Sequence, residues 1–574
     1  MKRFVELFWD IDASTSTNHK VDALASYYKN ASAADAAWTT AFLTGNRFKR
    51  FITSRDLQLW ARELKQMPEW LFAESYSRVG DTAETVALLV AGDQNRLPDT
   101  PLHDFVENTV LPLRSHGKEQ QGEEIKALWQ KMDTKLCFVF NKILTGAFRV
   151  GVAKATVYKA LAAVSSVPPA VLAHRLTGKW QPSAEFFAQV LNPEAKASDS
   201  AKAYPFCLAY PLQAEFPEGY KTEELEQYLE SKLATPKNWL AEWKWDGIRG
   251  QLLKHKSGVY LWSRGEDVIS EQFPELIAAG EKLPSGTVLD GEILCWQDGK
   301  PKSFASLQKR LGRKKPSAKT VDKYPAVFMA YDLLEADGND IRQQPLLSRR
   351  AQLQQLIESL GSLPTFFISP TINFDSWQQL EALRNSARNF GVEGLMVKHK
   401  QSEYLVGRKK GQWWKYKLDP YTVDAVLLYA QPGSGRRANL YTDYTFAVWQ
   451  GDDLVPVAKA YSGLTDSEIN KVDAWVRKNT VERFGPVRSV KPELVFELAF
   501  ENIAPSSRHK SKLALRFPRI KRWRQDKTAD QADNITMLHH LLDEKANSHT
   551  SVFNDSANAA MIPQNTNQPC KSRA

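Results

Sequence analysis

The sequence has little of what builds secreted, metal-clustered or membrane-embedded proteins. Only four cysteines occur in 574 residues. Cys137, Cys207, Cys295 and Cys570 are too far apart for a disulfide framework or for the paired spacing of a structural zinc site, so reduced thiols are expected. No apolar run approaches the roughly 20 residues that a membrane-spanning helix needs, and no membrane partner is expected. The opening stretch MKRFVELFWDID sets two basic residues before apolar ones, but Glu6, Asp10 and Asp12 interrupt any secretory hydrophobic segment. A mature cytoplasmic protein is the expectation.

What is present is ordinary in bulk, with 43% hydrophobic and 25% charged residues. A chain of 574 residues exceeds what one core organises, which points to two to four domains. The formal charge of +10 and a pI near 9.1 favour a polyanion such as nucleic acid, although solubility alone would account for a modest excess.

Texture changes along the chain. From Ala23 to about Leu176 apolar residues recur at helical spacing, as in Leu57, Leu59, Trp60 and Leu64. The polar stretch Asn192 to Lys202 separates this region from one where strands such as Gly286 to Leu294 alternate with helices such as Trp377 to Phe390. After Asp419-Pro420, short alternating runs at Asp424 to Leu428, Tyr444 to Trp449 and Leu494 to Phe500 read as a small β-barrel ending near residue 530. Asp533 to Leu542 reads as one short helix. From Asn547 the composition offers little to bury, and a disordered tail is expected.

The most informative segment is Ala241 to Gln251, AEWKWDGIRGQ. Lys244 stands two residues after Glu242 and two before Asp246, just upstream of Gly247 and Arg249. A lysine attacks as a nucleophile only when neutral, and Arg249, metal ions and partial burial are the neighbours that favour that form. By itself the segment also reads as an edge strand with alternating Trp243 and Trp245, closed by an Asp-Gly turn. Five further segments follow. Ser263 to Glu266, SRGE, is a turn. Val288 to Leu294, VLDGEIL, is a buried-looking strand interrupted by two acids, which is costly unless they meet a hydroxyl, a cation or a metal; Glu292 is the acid selected. Val327 to Leu334, VFMAYDLL, reads as a second core strand, and Gly391 to Lys398, GVEGLMVK, puts Glu393 before another. Finally Trp413 to Lys417, WWKYK, alternates so that Lys415 and Lys417 share one side of a strand, where they can neutralise a pentavalent phosphorus.

The Lys-x-Asp-Gly segment and the order of these motifs resemble the covalent nucleotidyltransferases, the superfamily of DNA ligases, RNA ligases and mRNA capping enzymes. The resemblance implies a phosphoamide on Lys244 and ATP contacts from Glu242, Arg249, Arg264, Glu292, Lys415 and Lys417, with Tyr331 stacked on adenine. It implies Mg2+, or Mn2+ in its place, handled by Glu292 and Glu393. Magnesium keeps several waters and takes one or two carboxylates, so no dedicated cage is expected. Many relatives carry an arginine six residues before the first lysine of the last motif; here Lys409 stands there with Arg408 beside it, and either can serve.

Outside that core, Leu515 to Arg519, LRFPR, followed by Arg524-Gln525-Asp526-Lys527, resembles the final motif on the OB domain of ATP-dependent DNA ligases. By that resemblance Arg524 and Lys527 orient the pyrophosphate leaving group, and the OB domain closes over ATP and swings away about a hinge near Asp419-Pro420. The helical region resembles the DNA-binding domain of archaeal and eukaryotic replicative-type ligases through Asn141 to Ala160, where Gly146, Arg149 and Gly151 lie in a turn before a helix whose amides can hold a phosphate. A second turn, Thr44 to Arg50, repeats the pairing of glycine with cations. Phe304 and Phe517, the latter beside Arg516, resemble residues that press into the minor groove beside a break. The basic run Lys309 to Lys319, which includes Arg310, is expected to follow the DNA backbone and make binding salt dependent.

The implied protein is an ATP-dependent DNA ligase of bacterial type, sealing nicks in duplex DNA through lysine-AMP and an adenylylated 5′-phosphate. An ATP-dependent RNA ligase and a catalytically silent nick-binding protein are the alternatives. An NAD-dependent ligase is disfavoured because the zinc-bearing and helix-hairpin-helix extensions are missing. The expected architecture is an all-α DNA-binding domain over 1–200, an α+β nucleotidyltransferase domain over 201–419, a β-barrel OB-fold domain over 420–530, and a short helix with a disordered tail over 531–574. A monomer acting on nicked duplex DNA in the bacterial cytoplasm or nucleoid is expected; neither the pathway nor a nuclease or helicase partner is legible.

Overall fold

The computed structural model describes residues 1–46, 50–146, 148, 151–194, 202–216, 224–311, 313, 315–361, 363–433, 437 and 439–551, with the side chains of 170 and 544–551 excepted. Arg149, the middle of the turn at 44–50, parts of the polar stretch 192–202 and of the basic run 309–319, and the end of the tail lie outside the described residues. The chain forms two compact units: Met1–Leu172 with Trp180–Ala195 and Pro420–Asp543, and Ala173–Lys179 with Lys196–Asp419 and the carboxy-terminal end. Among the described residues no helix is long and apolar enough to cross a membrane.

The amino-terminal part of the first unit is helical, from Lys2–Ala13 to Ala184–Leu191. The helix Ser54–Lys65 shows why the local sequence folds this way. Thr53 and Asp56 form a reciprocal capping box that satisfies two otherwise orphaned amides, and Leu57, Trp60 and Ala61 make the buried stripe. Leu59, which the apolar spacing included, is 50% exposed and falls off that stripe. The helix Thr134–Thr145 ends at Gly146 in the left-handed region, a conformation that favours glycine, and the helix Lys154–Ser165 follows the turn.

From residue 420 the first unit is β-rich. A seven-stranded sheet is built around Tyr421–Pro432, which pairs with Tyr441–Gln450, Val487–Val490 and Val495–Phe500. The helix Asp466–Lys478, opened by a capping box of Thr465 and Glu468, buries Ile469, Val472 and Val476. The structure continues past residue 530: Asp533 donates its amide to the Asp424 carbonyl at 2.9 Å, and Ile535 and Leu538 enter the same apolar core. The helix Ile535–Ser551 therefore begins as part of this core and runs past Leu542, where the sequence reading ends it, and past Asn547, where a disordered tail was expected.

Among its described residues the second unit carries two main sheets and a two-stranded one, Cys207–Leu208 beside Gly407–Arg408. The larger orders Phe366–Ile368, Ala326–Ala336, Thr287–Gln297, Ile248–His255 and Gly258–Ser263. The smaller orders Thr371–Ile372, Trp239–Trp243, Gly394–His399, Trp413–Lys417 and Tyr210–Pro211. One core joins residues of both, including Trp243, Trp245, Leu294, Val327, Met329, Leu395, Val397 and Tyr416. A second core, with Leu252, Phe328, Leu353 and Phe366, lies under the helices that cover the larger sheet. Both faces of Ala326–Ala336 are thus buried, which is why VFMAYDLL is apolar apart from Tyr331 and Asp332, the latter buried with Arg349 as its partner. Cys207 and Cys295 are free, buried thiols whose pKa burial pushes up to about 11, in accord with the inert role expected of them.

Candidate active site

Lys244 follows the strand Trp239–Trp243 and is pinned by its backbone. Its amide donates to the Gly394 carbonyl at 2.8 Å, and its carbonyl accepts from the Glu393 amide at 2.8 Å. The two segments, 149 residues apart in sequence, are so held side by side, and the Lys244 ammonium bonds the Glu393 carboxylate. Lys417 reaches the same carboxylate oxygen at 3.5 Å. Strand register explains the convergence: Gly394 pairs with Lys417, and Met396 with Lys415 and Glu242.

Two glycines permit this closeness. A Cβ on Gly247 would lie 2.3 Å from the Ile293 carbonyl oxygen and 2.8 Å from Glu292 Cγ. Gly394 has φ +135, and a Cβ there would lie 2.3 Å from the Tyr416 carbonyl oxygen. Any larger residue at either position drives the Lys244 segment away from the carboxylate strands.

The two acids of VLDGEIL separate cleanly. Asp290 is fully buried and accepts from Arg249 at 2.7 and 3.2 Å and from the Tyr404 hydroxyl at 2.7 Å. Arg249 also donates to the Cys207 carbonyl at 2.6 Å. Its charge is thus matched by Asp290. Glu292 accepts no such pair among the described residues. Burial raises its pKa to about 8, with Glu393 and Asp290 adding to the rise while Lys244 and Arg249 oppose it.

Lys415 is half-buried, and its pKa is lowered by burial first and then by Arg408, Lys244 and Lys417. Of the two basic residues left open by the sequence, Arg408 is therefore the one whose charge acts on Lys415. Lys409 is exposed. Arg264 is also exposed, and its amide bonds the Arg249 carbonyl at 3.0 Å. Glu242, 1% exposed, bonds Lys398 at 2.6 Å and also bonds Arg350. Tyr331 is 9% exposed, with the Lys398 ammonium 4.4 Å and the Arg249 guanidinium 5.7 Å from its ring centre.

Sequence reasoning missed Arg350 and Lys398. Arg350 also donates to the Tyr331 and Ser369 carbonyls at 3.1 and 2.7 Å, tying a helix to the strand ends around Glu242. The available signal was an arginine pair, Arg349-Arg350, in an otherwise ordinary amphipathic helix. Arg349 forms a fully buried ion pair with Asp332 at 2.8 Å.

The residues expected to touch DNA divide. Phe517 is 66% exposed with φ +53, a strained display of an aromatic, and the Arg516 guanidinium lies 5.1 Å from its ring centre. Gly151, with φ +60, has its carbonyl held by Lys20 at 3.0 Å. Phe304 opens the helix Phe304–Leu311 and is half-buried against the core. Arg310 is corrected outright. It is fully buried, paired with Glu275 at 2.8 and 2.9 Å, and donates to the Gln272 and Tyr324 carbonyls, so it has no face to offer a phosphate. Arg310→Ala is expected to cost about 3–5 kcal/mol because Glu275 is left without its partner. Urea unfolding checks this, and a loss under about 1 kcal/mol would contradict it.

On the first unit, Arg524 and Lys527 lie just after the strand Arg519–Trp523, and both bond Asp424 at 2.7 and 2.6 Å.

Three family models match the chain. DNA ligase N terminus covers residues 1–162, ATP dependent DNA ligase domain 221–417, and ATP dependent DNA ligase C terminal region 437–527. The chain is 31% identical over 565 residues to a probable DNA ligase of Koribacter versatilis (strain Ellin345), spanning 92% of this chain and 94% of that protein. It is 29% identical to a DNA ligase of Natronomonas pharaonis over 78% of this chain and 79% of the relative. A solved structure named Pmar-Lig_PreS3 shares the fold, with a TM-score of 0.59 at 16% identity, covering 91% of this chain and 99% of that one.

Proposed function

Because this chain belongs to the ATP-dependent DNA ligases, we propose that it seals single-strand nicks in duplex DNA through a Lys244-AMP intermediate and an adenylylated 5′-phosphate. The observation that carries the reading is the meeting of Lys244 and Lys417 on the Glu393 carboxylate, with Glu292 and Lys415 in electrostatic reach of Lys244. In the first step the Lys244 amine attacks the α-phosphorus of ATP. The P–N bond forms as the P–O bond to pyrophosphate breaks. AMP then passes to the 5′-phosphate at the nick, and the neighbouring 3′-hydroxyl displaces it.

Little proton chemistry is asked of the side chains, so alignment and charge neutralisation do most of it. Glu393 aims the lysine, and Lys415 and Lys417 face the phosphate whose charge rises in the transition state. Glu242, Arg249, Arg264, Tyr331 and Arg408 are assigned to the nucleotide, Lys409 being the less favoured partner. Arg524 and Lys527 are assigned to pyrophosphate.

Magnesium supplies further charge neutralisation when bound, and Glu292 and Glu393 would hold it. No group of three or more His, Cys, Asp or Glu able to hold a metal occurs among the described residues. Two carboxylates of this kind suit an ion that completes its shell with water and substrate oxygens. With the Glu292 pKa raised to about 8, binding must displace a proton from that carboxyl near neutral pH. The Mg2+ concentration for half-maximal Lys244 adenylylation should therefore fall as pH rises from about 7 to 9. Mn2+ binding followed by electron paramagnetic resonance should show the same trend, and Glu292→Gln should abolish it. A metal requirement independent of pH in the wild type would remove the role given to Glu292.

We assign residues 1–200 to gripping the duplex, 201–419 to the chemistry and 420–530 to an OB-type domain, with Phe517, Arg516, Phe304 and the Gly151 turn on the DNA. A monomer is proposed. The test is to load the protein with labelled ATP and then add nicked DNA or nicked RNA. Label should enter protein and leave as AMP with sealed DNA; sealing of RNA in preference would overturn the substrate assignment.

A further inference from the structure

We propose that Asp424 is a positioning residue for the departure of pyrophosphate, holding Arg524 and Lys527 converged so that both can grip the leaving group. The inference rests on the assignment of those two cations made above. Asp424 lies in the strand Tyr421–Pro432 with its side chain only 8% exposed. One carboxylate oxygen, Oδ2, accepts from Arg524 Nη1 at 2.7 Å and from Lys527 Nζ at 2.6 Å. The backbone of Asp424 is fixed from both sides. Its amide donates to the Asp533 carboxylate at 2.7 Å, and its carbonyl accepts the Asp533 amide at 2.9 Å.

A carboxylate in this place is expensive for the barrel. It is buried, its second oxygen has no hydrogen-bond partner among the described residues, and another carboxylate, Asp533, lies against it. An apolar residue would serve packing better. What the carboxylate does is bring two mutually repelling cations onto a single oxygen. Asp526 holds the far side of the Arg524 guanidinium at 2.7 Å, which leaves the Lys527 ammonium as the freer of the two. Cations spaced to share one oxygen are also spaced to share the oxygens of one phosphate. Without Asp424 they repel and separate, and the site must be reassembled each time ATP binds.

The effect belongs to one step. When Lys244 attacks the α-phosphorus, the electron pair of the breaking P–O bond leaves with pyrophosphate, and the lysine proton goes to solvent. The charge growing on that leaving group is what the pair stabilises. Sealing an already adenylylated nick releases AMP and no pyrophosphate, so it does not need the pair.

The test uses the full chain with Asp424→Ala, Asp424→Asn and Asp424→Glu. Three quantities are measured: the ATP dependence of single-turnover Lys244 adenylylation, the pyrophosphate dependence of the reverse reaction, and the rate of sealing a pre-adenylylated nick. In the alanine and asparagine variants the KM for ATP and for pyrophosphate should each rise about tenfold, with sealing of the pre-adenylylated nick within about twofold of wild type. Asp424→Glu restores the charge and should recover part of the loss. If alanine does not fold, the near-isosteric asparagine decides. Unchanged or lowered KM values, or a parallel fall in sealing of the pre-adenylylated nick, would overturn the proposal. Failure of the wild type to label Lys244 or to seal nicks would instead overturn the function on which it rests.

Discussion

Lys244→Ala should abolish transfer of AMP from ATP to the protein, with a fall in adenylylation on the order of 10⁴-fold or more, while nicked duplex DNA still binds. The reason is chemical: the covalent intermediate needs a nitrogen at this position, and the sheet holds Lys244 through its backbone bonds to Gly394 and Glu393 whatever its side chain. The mutation therefore removes the nucleophile without removing the framework. Intact mass spectrometry after incubation with ATP and magnesium is the check. An AMP adduct persisting in the variant, or wild-type label on a different lysine, would defeat the assignment.

Glu393→Ala should be the next most damaging change, lowering the single-turnover adenylylation rate on the order of 10²–10³-fold. This carboxylate is the common partner of Lys244 and Lys417, so its loss frees the nucleophile from its aim and leaves two cations facing each other. Glu393→Gln keeps the volume and loses the charge, and it should recover little of the rate. Thermal unfolding of both variants separates this from collapse of the fold. Glu393 is half-buried at the start of a strand whose core residues, Leu395 and Val397, are untouched, so melting should change little. Full activity in Glu393→Gln would show that the shape of the residue and not its charge matters.

Much of this site was readable before any coordinates. The alternation of WWKYK placed Lys415 and Lys417 on one side of a strand, and the observed Trp413–Lys417 alternates in burial as required from Trp414 onward. VFMAYDLL read as a core strand, and Ala326–Ala336 is one, buried through Leu334. Of the two acids that interrupt VLDGEIL, Asp290 has Arg249 as its partner. Where the reading erred, pairing was the reason. Arg310 stood in a run of exposed-looking cations, yet the helix phase turns it inward onto Glu275, 35 residues earlier. That the Arg249 fork is filled by Asp290 across the sheet was equally beyond the order of residues.

The motifs themselves, the family, and the lysine proposed as nucleophile follow from residue order alone, because spacing along a strand or through a tight turn is a local property of the chain. Which charges meet is a different matter. The lysine and Glu393 are joined by strand register, Glu242 is claimed by Arg350 from a distant helix, and Arg524 and Lys527 are drawn to Asp424 about a hundred residues before them. Ion pairing depends on distance in space and on burial, which sets how strongly two charges feel one another, and neither quantity is written into the order of residues.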